Sequence, residues 1–119
     1  MSVAPTIDPQ ALDRLREWGG DPLVAQMIRL FIKNAGLRVE QIRTGVRDEL
    51  IREAEMGAHS LKSSAANLGA ERVRNLAAEI ERAAANDEPG PVAALLPELE
   101  IAFANAMAEL ESIEKGIPG

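Results

Sequence analysis

Leu50, Ala54, Ala58, Leu61, Ala65 and Leu68 return at steps of four and three residues, and the series stops at Gly69. At 3.6 residues per turn this spacing puts all six on one face of a helix, whereas a strand would divide them between two faces. Glycine is the residue that most easily takes the left-handed conformation ending a helix, so the pattern predicts a helix over about 49–68. The rest of the chain agrees. Ala, Leu and Glu supply 47 of 119 residues, aromatics are 3%, and β-branched residues are scattered singly. Strong helix formers without strand-like runs predict an all-α chain.

The other helices follow from their punctuation. Ile7-Asp8-Pro9 reads as a start, with Asp8 as N-cap, Pro9 in the first turn, and Ile7 and Leu12 spaced as a hydrophobic staple. This short helix ends at Gly19-Gly20. Asp21-Pro22 starts a long second helix with an expected seam of Leu23, Met27, Leu30, Phe31 and Leu37, continuing to Ile42 and Val46. Gly36 and Gly45 weaken its middle and end. A fourth helix over about 70–86 carries Val73, Leu76, Ile80 and Ala83, and Asp87 to Pro91 reads as a turn. A fifth carries Leu96, Leu99, Phe103, Ala106, Leu110 and Ile113, with Pro97 expected to kink it or mark its first turn.

Each amphipathic helix can bury its stripe only against its neighbours. The expectation is therefore one domain over 1–119, an antiparallel four-helix bundle with a short additional N-terminal capping helix. Its helical core spans about 8–115, with frayed ends at 1–6 and 116–119. Trp18 is expected to pack on the bundle end, and a monomer is expected because one bundle can bury every stripe internally.

Composition narrows the chemistry. With no cysteine, thiolate zinc sites, disulfides and cysteine nucleophiles are excluded, and the single histidine excludes any site needing two imidazoles. A net charge of −6 repels phosphate backbones, so nucleic acid is not an expected partner. No apolar run reaches the roughly 20 residues that span a bilayer, and the N-terminus lacks a secretory pattern. No membrane association and a cytoplasmic location are expected.

His59 lies about 140° from the direction of the third-helix seam, nearly opposite the core. Arg52, Glu55, Lys62, Ser63 and Ala66 share its outward sector. An exposed imidazole is a competent nucleophile in its neutral form. Ser63 and Ala66 leave room for a bulky group to approach the ring, and Lys62 can neutralise an anion attached to it.

The run Ala58-His59-Ser60-Leu61-Lys62-Ser63-Ser64-Ala65-Ala66-Asn67-Leu68-Gly69-Ala70 resembles the signature of histidine-containing phosphotransfer (HPt) domains. A weaker match extends over Val73, Leu76, Glu79, Ile80 and Glu81 and over Leu99 to Leu110. Ser63 stands where the family usually has glycine. The resemblance implies a phosphorelay carrier rather than an enzyme, with His59 as phosphoacceptor through its outward Nε2. It further implies that Lys62 stabilises the phosphoryl group and that Ser63, Ala66, Glu55 and Arg52 belong to the docking surface. The implied partners are response-regulator receiver domains or a hybrid histidine kinase. Mg²⁺ is expected only in the receiver, and no cofactor or metal in this chain.

Blander readings stand beside this one. A lone histidine on a helix is most often a solvated residue, and Lys62 apart from His59 is an ordinary surface lysine. Ser63 and Ser64 lack the second histidine or acidic orienter a serine nucleophile needs. Glu55 and His59, four apart, could pair on a metal, but di-iron bundle sites require two histidines. Arg38, Arg43, Arg47 and Arg52 interleave with acids and read as a solvated face. Glycine-rich nucleotide loops are absent from the sequence. The alternative function is a non-catalytic helical-bundle interaction module.

Overall fold

The computed structural model describes residues 6–118. Four helices account for nearly all of them: α1 (Pro9–Arg47), α2 (Ile51–Leu68), α3 (Glu71–Ala85) and α4 (Pro89–Lys115). The packed pairs are α1 with α2, α2 with α3, α3 with α4, and α4 with α1. Joined by connections of two or three residues, they form an up-down-up-down bundle. The expected fraying falls partly on residues 1–5 and 119, which lie outside the described residues.

The two N-terminal helices form one element with a break. Within α1, Gly20 takes φ 71° and ψ −170°, so the chain turns there and resumes its helix at once. A side chain is disfavoured at such a φ, which is why glycine occupies the bend. The short arm before it caps the bundle end as expected. Asp8 accepts from the Gln10 N–H at 3.0 Å, and Ile7, Ala11 and Leu12 are buried. The Asp8 N–H donates to the Gly69 carbonyl at 2.8 Å, tying the arm to the end of α2. Gly69 has φ 72°, and a Cβ there would stand 2.8 Å from both the Ala11 Cβ and the Asp8 carbonyl oxygen. Trp18 does not pack on the bundle end: it is 86% exposed.

The phase of the long part of α1 differs from the expected seam. Its buried residues are Val24, Ala25, Ile28, Phe31, Ala35, Val39, Ile42 and Gly45, while Leu30 and Leu37 face solvent. Phe31 and Ile42 of the expected seam are in the core, and Val24, Ile28, Ala35 and Val39 complete it in place of Leu30 and Leu37. Gly45, near the end of α1, also serves the packing of α1 on α2. A Cβ there would lie 2.7 Å from the Ala54 N and 2.9 Å from the Leu50 carbonyl oxygen, so α1 and the start of α2 meet backbone to backbone.

Three further boundaries are corrected. Leu50 is the exposed N-cap of α2 rather than a seam residue. The turn after α3 is confined to 86–88, because Pro89 begins α4, where a missing N–H costs nothing. Pro97 lies inside α4 and does not begin it. It is exposed, on the side of the helix away from the core.

Residues from all four helices form one hydrophobic core. Every buried side chain among the described residues is apolar. By length and composition α4 is, among the described residues, the one helix apolar enough to cross a membrane. One face of it, from Val92 through Leu99 to Leu110, lies in this core.

Candidate functional site

The α2 seam fixes the site by exclusion. Ala54, Ala58, Leu61, Ala65 and Leu68 are buried, so the opposite face of the helix must look outward. His59 is on that face with its side chain 65% exposed. Glu55, Met56, His59, Ser60 and Glu81 line a shallow open hollow.

The imidazole is oriented from the neighbouring helix. Nδ1 of His59 lies 2.6 Å from Oε2 of Glu81 on α3. The other carboxylate oxygen, Oε1, accepts from Nζ of Lys62 at 2.5 Å. Partial burial pushes the Glu81 carboxyl up, but the hydrogen bonds from Lys62 and His59 outweigh it and hold the group below the usual carboxylate range. Glu81 is therefore an anion at neutral pH and can only accept. The proton of a neutral His59 ring must then sit on Nδ1, leaving the lone pair on the outward Nε2.

The structure brings together most of the residues singled out in the sequence. Lys62 joins His59 through their shared acceptor. Ser63 and Ala66 are exposed and low, and the Ser63 hydroxyl turns back towards the His59 carbonyl at 3.5 Å. Glu55 borders the hollow. Arg52 is directed elsewhere, pairing with Glu55 and with Asp87 beyond α3. The arginines of the loose basic string each find local partners: Arg38 bonds Gln41, Arg43 bonds Glu40 and Glu100, and Arg47 bonds Asp48. Among the described residues, no three His, Asp or Glu side chains converge as metal ligands.

Two features escaped sequence reasoning. Glu81 follows His59 by 22 residues on another helix, so no spacing rule links them. Its signal was its place on α3, one residue beyond the seam position Ile80. The second is an apolar margin. Met56 is exposed beside His59. Gly57 meets Arg38, Gln41 and Ile42 where α1 crosses α2.

Comparison with known proteins gives three findings. A family model described as Hpt domain matches residues 26–113. The fold is similar to the crystal structure of histidine-containing phosphotransfer protein B (HptB) from Pseudomonas aeruginosa PAO1, with a TM-score of 0.91. That match has 22% sequence identity and covers 98% of this chain and 100% of the other. No curated protein sequence matches the chain.

Proposed function

The chain belongs to the Hpt domain family, and on that premise we propose that His59 is the residue on which it carries a phosphoryl group. The family works in histidine phosphotransfer within phosphorelays, interacting with response-regulator receiver domains and histidine kinases. The observation carrying the residue assignment is the exposed ring whose Nδ1 is occupied by Glu81, so that Nε2 alone is free.

The transfer follows from that geometry. Nε2 attacks the phosphorus of a receiver phosphoaspartate in line, the N–P bond forms, and the P–O bond to the aspartate breaks with its electrons on the departing carboxylate. The ring keeps its Nδ1 proton and becomes positively charged. Glu81 supplies the opposing charge through a contact already in place, so little reorganisation accompanies the step. Lys62, held at the same carboxylate, is the cation we assign to the phosphoryl oxygens. Reversal of the same steps passes the group to another receiver. Mg²⁺, by the family resemblance, comes with the receiver.

Ser63 and Ala66 keep the approach open, while the exposed Met56 gives the receiver an apolar side chain to bury. Glu55 borders this surface, and Arg52 stands at its edge. The reading of a non-catalytic interaction bundle is not favoured.

The test is incubation of the chain with a phosphorylated receiver domain and Mg²⁺. Acid-labile label on His59 that disappears in His59→Gln is the expected result. Label that persists in the variant overturns the assignment.

A further inference from the structure

We infer that Glu81 retains the Nδ1 proton on the phosphorylated ring and so keeps the loaded carrier ready to release its group at neutral and mildly alkaline pH. This rests on the assignment of His59 as phosphoacceptor and concerns the ring after loading, where the charge of the carboxylate sets how long the phosphoryl group stays attached.

Release from nitrogen depends on that proton. When an oxygen nucleophile attacks the phosphorus, the Nε2–P bond breaks and its electron pair returns to Nε2. With Nδ1 protonated, the departing group is a neutral imidazole. With Nδ1 bare, it is an imidazolate, a far stronger base and a poor leaving group. The nucleophile is a receiver aspartate in transfer and water in hydrolysis, where the inorganic phosphate keeps both protons of the water. A cationic imidazole in water gives up its proton at about pH 6.5, so a loaded ring without assistance passes into the unreactive form above neutrality.

The surroundings of His59 oppose that loss. Oε2 of Glu81, on α3, lies 2.6 Å from Nδ1. The side chain of Glu81 is only 22% exposed, so salt and solvent screen its charge less than that of a free surface carboxylate. Lys62, on α2, binds Oε1 of the same group. Engaged with the phosphoryl oxygens, it leaves the carboxylate to the ring. Glu55, also on α2, borders the hollow but is paired with Arg52, and Arg52 pairs in turn with Asp87. On the α1 side of α2, Arg38 bonds Gln41, and Gln41 bonds Glu53. Among the described residues Glu81 is thus the carboxylate that meets Nδ1.

Phosphoramidate, which loads histidine without a partner protein, supplies the probe. Loss of label from His59 is followed from slightly acidic to alkaline pH. The wild-type rate should stay level through neutrality and fall only at alkaline pH. Glu81→Gln keeps an acceptor for Nδ1–H without the charge. Its rate should fall in the ordinary imidazole range, leaving the label about tenfold longer-lived at alkaline pH, the change that moving proton loss by one pH unit produces. Nitrogen NMR of the loaded ring should show Nδ1 protonated there in wild type and bare in the variant. A wild-type rate that already falls in the ordinary imidazole range overturns the inference, as do coincident profiles or a shorter-lived label in Glu81→Gln. All three leave His59 as the acceptor. No label on His59 from phosphoramidate or from a receiver overturns the acceptor assignment, and this inference with it.

Discussion

Glu81 reaches across the groove between α2 and α3 to hold Nδ1 of His59 at 2.6 Å. One carboxylate thereby selects the nucleophilic nitrogen, fixes the ring, and provides the countercharge for the loaded state.

Glu81→Ala should therefore slow phosphoryl transfer from a receiver by about tenfold or more, the scale on which groups that orient a reacting imidazole act. Helix content should not change. Nitrogen NMR should show His59 shifting from one dominant tautomer to a mixture. Glu81→Gln, whose amide oxygen still accepts from Nδ1–H, should retain the tautomer and lose mainly the charge.

The depressed Glu81 carboxyl also sets a pH dependence. Its folded-state value lies below its unfolded one, so its contribution to stability is fully present above the ordinary glutamate range. That contribution is lost as pH falls through the lower, folded-state value. Acid unfolding of wild type and Glu81→Gln should converge at the acidic end and separate by about 1 kcal/mol near neutrality. A constant gap across the whole range would contradict this.

Lys62→Ala should reduce transfer while costing at most about 1 kcal/mol of stability, because the ion pair it removes is partly solvated. Equal transfer rates would refute its role at the phosphoryl oxygens. Denaturant unfolding measures the other half of the prediction.

Gly45→Ala should be among the more damaging single-methyl additions, about 1–3 kcal/mol. The new Cβ meets backbone of α2, and backbone cannot swing aside as a side-chain tip can. A melting temperature equal to wild type would show that the two helices separate there without cost.

Ser63→Gly should leave transfer unchanged or faster, at a cost of up to about 1 kcal/mol for glycine within a helix. The hydroxyl points back to its own helix and not to the ring. A large loss of transfer with the fold intact would mean that the hydroxyl takes part.

Much of this was legible because helical periodicity is a local property. The outward position of His59, the stop at Gly69 and the start at Asp8 all follow from steps of three and four residues and from backbone preferences. The α1 seam was misread because Leu30 and Leu37 are large and apolar but exposed, and size outweighed phase. Trp18 was misplaced for the same reason. The contact of Glu81 with His59 depends on how one helix is rotated against the next, which spacing within a single helix does not encode.

The all-apolar interior limits how news of the modification can travel. Adding a doubly charged group at the rim meets no fully buried polar or ionisable side chain among the described residues that could reorganise in response. Loaded and empty forms should share one shape, so a partner must sense the cargo directly, by touch, rather than through any altered posture of the carrier.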